Sequence, residues 1–162
     1  MIGKKMEKAL NEQLNAELYS WYLYLSMSAH FEEHNFTGIS KWMKIQAHEE
    51  YTHAMKFYDY IIQVGKIVSL EAISAPKRDW SSHLEVFEQV FEHEMKITEQ
   101  INNLMNLAVE EKDHASNSFL LWFVNEQVEE VATAKIILEK AKFIGDSHNG
   151  LFMLDHEMGK RQ

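Results

Sequence analysis

The chain has no cysteine. That removes disulfide frameworks, thiolate zinc sites, iron–sulfur clusters and cysteine nucleophiles together, and leaves oxygen and nitrogen as the atoms with which any metal must be held. Proline occurs once, as Pro76, and glycine only 6 times in 162 residues, so long stretches run without a helix breaker. No apolar run approaches the roughly 18 residues of a membrane-spanning helix, and Met1 to Leu10 lacks the apolar core of a secretory signal. A cytoplasmic protein with no membrane partner is therefore expected. Basic charge is also scarce, with 16 Lys and Arg against 25 Asp and Glu and a formal net charge of -9. A balance of that sign argues against nucleic-acid partners, which need clustered cations to neutralise phosphates. It favours cations as ligands.

What is present is the composition of a globular chain, 46% hydrophobic and 25% charged, and residues 1–162 are expected to form a single domain. The periodicity predicts an all-α protein with helices over about residues 5–34, 39–64, 83–111, 115–144 and 147–158. Asn35-Phe36-Thr37-Gly38 is a short turn, with Asn35 suited to the left-handed position and Thr37 to capping the second helix. Gly65 and Gly145 close the second and fourth helices, and Ser82 with Glu85 forms a capping box for the third. Between Lys66 and Ser81 lie about 16 residues without helical period, a reach of roughly 50 Å when extended. A helix of about 27 residues is roughly 40 Å long, so this segment spans a whole helix and makes the second and third helices parallel. Two short connections around one long crossover is the arrangement of ferritin-like four-helix bundles. The short fifth segment carries Leu151, Phe152, Leu154 and Met158, and is too brief to be stable without docking.

The apolar seams of all four long helices are interrupted by polar residues near their middles. In the first, Leu10, Glu17, Tyr24 and Phe31 form one heptad column; in the second, Met43, Glu50, Phe57 and Val64 run beside Ile39, Gln46, His53 and Tyr60. The third has Phe87, Glu94, Ile101 and Ala108, and the fourth has Leu120, Gln127 and Ala134 beside Phe123, Glu130 and Ile137. Ionised glutamate is rarely buried unless paired or coordinating a metal. Glu17, Glu50, Glu94 and Glu130 would bring four negative charges into one water-poor space, and two divalent cations balance them. Glu50 and His53 stand three apart on one helical face. The donor set, rich in oxygen with one imidazole, suits iron or manganese, and zinc binds such ligands as well. Tyr24, one heptad after Glu17, is a packing residue, a hydrogen-bond partner to a metal ligand or an electron donor.

The chain resembles prokaryotic-type non-haem ferritins over essentially its whole length. The resemblance is carried by Asn11-Glu12-Gln13, Glu17-Leu18-Tyr19-Ser20, Glu49-Glu50-x-x-His53 and Trp122-x-x-x-Glu126-Gln127-x-Glu129-Glu130. It implies a ferroxidase centre whose first iron is held by Glu17, Glu50 and His53. Glu50 bridges to a second iron held by Glu94 and, more loosely, by Gln127 or Glu130. It implies a third, inner iron position at Glu49, Glu126, Glu129 and Glu130, three of which composition alone would read as a solvated acidic face. It further implies iron storage as a ferric oxide-hydroxide mineral, ferrous iron and dioxygen or peroxide as substrates, and a homo-oligomeric shell of 24 subunits with the fifth helix near the four-fold axes. Gln127-x-x-Glu130 stands where bacterioferritins and rubrerythrins have a second Glu-x-x-His, so weaker binding and transient iron are expected at the second position. Tyr51 stands where bacterioferritins carry the haem-ligating methionine, so no haem is expected.

The competing reading is a rubrerythrin-like di-iron peroxidase or oxidoreductase, which would need reducing equivalents from a cysteine-ligated iron domain that this chain lacks. A DNA-protecting miniferritin would place its ligands between subunits, and a plain helical scaffold would bind no metal. His30 and His34, four apart, are positioned to clasp a surface metal or, more commonly, to be solvated or packed in the turn. His48, His83, His93, His114, His148 and His156 show no ligand pattern.

Overall fold

The computed structural model describes residues 2–162. It contains α1 (Lys4–Glu33), α2 (Thr37–Gln63), α3 (His83–Glu110), α4 (His114–Ile144) and α5 (His148–Met158), with no strand among the described residues. The architecture is an all-α four-helix bundle with a short fifth helix. Asn35, Gly65 and Gly145 take positive φ at the helix ends, as their residue types favour, and Lys112 does so between α3 and α4.

One expected cap is corrected. Thr37 is the first helical residue and Phe36 holds the N-cap position, with no side-chain cap bond. The cap comes from elsewhere: Ile39 N donates to Asp155 Oδ1 of α5 at 2.8 Å, which satisfies a first-turn donor across the fold. The capping box before α3 is half formed. Ser82 Oγ accepts from Glu85 N at 3.1 Å, but the Glu85 carboxylate reaches Ser81, accepting from its N at 2.6 Å and its Oγ at 2.7 Å.

The crossover runs along α1. Asn11 Nδ2 donates to Ile67 O and Asn15 Nδ2 to Ser69 O, and farther along the same helix Ser26 Oγ donates to Lys77 O. Loop and helix advance in the same direction, so the chain is delivered to the far end of α1, where α3 begins. Lys5 pairs with Glu110 at the near end and Tyr24 with Glu94 in the middle, which sets α3 antiparallel to α1 and hence parallel to α2.

Burial divides the core in two. One apolar cluster holds Met27, Phe31, Met43, Phe87 and Leu138; the other holds Leu10, Leu14, Phe57, Ile101 and Phe123. Each fully buried Leu or Phe contributes about 1.5–3 kcal/mol. The two clusters are separated on every long helix by buried polar residues: Glu17 and Ser20 on α1, Gln46, Glu50 and His53 on α2, His93 and Glu94 on α3, and Gln127 on α4. The bundle therefore has a polar waist held between two apolar halves.

Candidate metal centre

Helical spacing puts the waist together. Gln13 and Glu17 are one turn apart on α1, and Gln13 Nε2 donates to Glu17 Oε1 at 2.8 Å. On α2 the same spacing lets Gln46 Nε2 donate to Glu50 Oε1 at 3.0 Å, and the same nitrogen reaches Glu130 Oε2 of α4 at 2.9 Å. His53 turns Nδ1 to Glu50 Oε2 at 3.4 Å and Nε2 to Glu126 Oε1 at 3.8 Å. Trp122 lies edge-on to the His53 ring, with centroids 5.4 Å apart.

Two groups of ligand atoms converge within 4.8 Å: Glu17, Glu50 and His53, which are all buried, and His53, Glu126 and Glu130. His53 belongs to both. Glu94 and Gln127 form a separate pair beside them. The Tyr24 hydroxyl donates to Glu94 Oε1 at 2.5 Å, and Gln127 Nε2 donates to Glu94 Oε2 at 3.2 Å and to Thr98 Oγ1 at 3.2 Å. Gln127 thus presents its amide nitrogen to Glu94, and its carbonyl would have to turn to act as a ligand. Of the other glutamates expected at a third position, Glu49 is held by Arg161 and Glu129 is exposed, while Glu130 is only partly buried.

Burial sets the electrostatics. It pushes the Glu17 carboxyl up to about 8, helped by the charge of Glu50 and opposed by His53. Glu94 is raised well above the usual carboxylate range by burial and then by Glu50 and Glu130. Glu130 is raised to about 7, again by burial first and Glu50 second. Burial alone would lower His53, but its hydrogen bond to Glu50 and the charges of Glu50, Glu17 and Glu130 carry it to about 9. Burial and Glu94 raise Tyr24 far above a normal phenol, so it stays a proton donor at neutral pH. Glu17 Oε2 is buried with no hydrogen-bond partner. A buried acceptor without a donor, among carboxyls that resist ionisation, is the environment a cation relieves. The donor set therefore fits divalent metal.

The remaining histidines separate cleanly. His93, which shows no pattern in sequence, is buried at the waist with Nε2 2.7 Å from Ser20 Oγ. Burial lowers it to about 4, so it is a neutral packing residue beside Tyr19 and Tyr24. His30 and His34 do not clasp a surface metal: His34 Nδ1 bonds His30 O at 2.7 Å, and His30 is buried against Trp80 and His83. Gln46, which lies in an inward column, joins Glu50 to Glu130, and Arg161 carries no signal in the sequence because it lies beyond the end of α5, outside any helical period.

Known proteins resemble this chain over nearly its full length. A family profile for the ferritin-like domain matches residues 7–144. The bacterial non-heme ferritin of Bacteroides fragilis is 46% identical over 161 residues, 99% of this chain and 100% of the relative. The bacterial non-heme ferritin of Campylobacter jejuni is 39% identical over 155 residues, 96% of this chain and 93% of the relative. A crystallised open pore ferritin from the hyperthermophilic archaeon Archaeoglobus fulgidus superposes with a TM-score of 0.98 at 46% identity, covering 100% of both chains.

Proposed function

The chain belongs to the ferritin family, proteins that store iron, and from that premise we propose that it is a ferroxidase that oxidises Fe(II) before storing it. The observation that carries this reading is the convergence of Glu17, Glu50 and His53 within 4.8 Å at a buried waist. Without metal their charge is held down only by protonation, of His53 beside Glu50 and of Glu17, and Glu17 Oε2 is unpartnered. Ferrous iron is the substrate. A first ion binds Glu17, Glu50 and His53, and a second binds Glu94 with Glu50 as bridge and Gln127 or Glu130 as the looser ligand.

Each Fe(II) gives up one electron, and dioxygen or peroxide accepts the pair. The protein contributes proximity, since both ions are held on rigid helices, and a charge-matched cage that favours the higher oxidation state. Tyr24 holds Glu94 in place and keeps its proton. Ferric product then passes to a third position at Glu49, Glu126, Glu129 and Glu130, and onward to a mineral core.

A mineral needs an enclosure, and the groove between α4 and α5 supports one. Phe143, Phe152 and Met153 are 94%, 71% and 72% exposed, and an apolar surface of that kind is normally covered by another chain. We read the covering partner as further copies of this chain, in a homo-oligomeric shell of 24 subunits, within the cytoplasm. No helix among the described residues is long and apolar enough to cross a membrane.

Glu50→Ala and His53→Ala test the assignment. Both variants are expected to assemble, Glu50→Ala because it removes a carboxylate from a crowded anionic site and His53→Ala because the buried carboxyls left behind take up protons readily, and to lose fast Fe(II) oxidation in stopped-flow absorbance. Wild-type rates in either variant would refute it.

A further inference from the structure

A cation reaches the edge of the waist from outside the four-helix bundle. Beyond the end of α5, Arg161 lies along α2. Its guanidinium sits 4.6 Å above the Trp42 ring, Nη1 donates to Gln46 Oε1 at 2.9 Å, and Nη2 donates to Glu49 Oε2 at 2.5 Å. Trp42, Gln46 and Glu49 form one stripe of α2, at helical spacing.

Docking of α5 places the arm. Gly38 and Gly159 face each other closely enough that a Cβ on Gly159 would stand 2.9 Å from Gly38 Cα. Lys41 Nζ donates to Gly159 O at 3.2 Å, and Asp155 caps Ile39.

The contact with Gln46 fixes more than one bond. An amide has one carbonyl and one NH2 group. With the carbonyl taken by Arg161, the nitrogen must point inward, where it donates to both Glu50 and Glu130. A flipped amide would set its oxygen against two carboxylates. Arg161 therefore reinforces the orientation of a buried side chain that touches the paired site, and with the other half of its fork it neutralises Glu49.

We propose that Arg161 is a latch: it is the counter-cation of Glu49, and a metal cation must displace it to bind at Glu49, Glu126, Glu129 and Glu130. The inference rests on the reading of those glutamates as a third metal position. A guanidinium does not deprotonate in proteins, so the competition is relieved by movement rather than by loss of charge. Displacement also frees the Gln46 carbonyl. The amide nitrogen, held by Glu50 and Glu130, stays turned inward. Arg161 is a positioning residue; it touches no reacting atom.

Anaerobic calorimetric titration of the assembled full-length protein with Fe(II) tests this by resolving the weakest class of sites. Arg161→Gln should tighten that class about five- to tenfold, the scale of removing a partly exposed ion pair together with its repulsion of the incoming cation. The two tighter ions should shift by no more than about twofold on that same scale. Arg161→Lys, which keeps the charge but not the fork, should remain nearer to wild type, an outcome a purely structural role would not give. An unchanged or weaker third class in Arg161→Gln overturns the latch while leaving the third position standing. Absence of any third class in both proteins removes the third position, and the latch with it. A readout without substitution is a crystal of the wild-type shell soaked anaerobically with excess Fe(II). Metal beside Glu49 with the Arg161 pair broken supports the proposal, and metal there with the pair intact overturns it.

Discussion

Tyr24 of α1 and Glu94 of α3 are joined by a buried hydrogen bond of 2.5 Å, the hydroxyl donating to Oε1. Both groups are almost wholly buried, so neither has water to fall back on. Tyr24→Phe leaves Glu94 Oε1 without its donor, at a cost of about 1–3 kcal/mol. The metal-free variant should melt at lower temperature in calorimetry. Loading with Fe(II) should recover part of the difference, because the cation then contacts the same carboxylate. Equal melting of metal-free variant and wild type would show that the bond contributes nothing.

Glu17→Gln separates folding from metal binding. Burial, then Glu50, raises Glu17 to about 8, so in the metal-free protein this carboxyl holds a proton at pH 7 and a neutral amide is a near match. The variant's Oε1 still accepts from Gln13, and stability at pH 7 should change by less than about 1 kcal/mol. Fe(II) binding at the first position should be lost in anaerobic titration. A variant that unfolds in urea well before wild type would mean the ionised carboxylate is a structural element.

The polar waist was legible because heptad spacing projects Glu17, Glu50, Glu94 and Gln127 onto the same faces as Leu10, Phe57, Ile101 and Leu120, and all of these are buried. The crossover was legible from its length and the lack of period between Lys66 and Ser81. What escaped were groups brought together by docking rather than by repeat: Asp155 as the cap of α2, His93 against Ser20, and Arg161 over Trp42. Each depends on the approach of a second element whose angle no local pattern states. Thr37 failed as a cap for the same reason, since the donor it would have served is already satisfied from α5.

Gly38 is required by that docking. A Cβ built on it would lie 2.0 Å from the Asp155 carbonyl oxygen, a backbone atom with nowhere to go. Gly38→Ala should therefore push α5 away from α2, costing about 1–3 kcal/mol as an overpacked contact does. Asp155→Ala removes only the acceptor for Ile39 and should cost about 1 kcal/mol, as lost caps do. Thermal unfolding would rank the two. A Gly38→Ala protein as stable as wild type would show that α5 contributes little to the fold.

The far end of the bundle carries a pH response unrelated to iron. His30, His34 and His83 meet there, with ring centroids 4.4 Å apart for His30 and His34, 5.6 Å for His30 and His83, and 5.2 Å for His34 and His83. His30 Nε2 and His83 Nδ1 are buried without partners, and Phe31 stacks on the His83 ring at 5.4 Å. Burial lowers both His30 and His83 below 6.5; His34 lowers them further, and Glu33 and Asp79 oppose this at His30. On acidification the unfolded chain takes up these protons first. Stability from neutral His30 and His83 is thus complete above pH 6.5 and is lost as pH falls from there through their folded values. In the metal-free protein the waist carboxyls, raised to about 8 at Glu17 and about 7 at Glu130, gain stability over the same acidification, so the histidine response is read as a difference between two proteins. His83→Phe keeps an aromatic ring against Phe31 and Phe36 but cannot titrate, so its urea midpoint, at fixed protein concentration, should rise relative to that of wild type between pH 7.5 and pH 5.5. If the two midpoints move in parallel, His83 contributes nothing to the acid response.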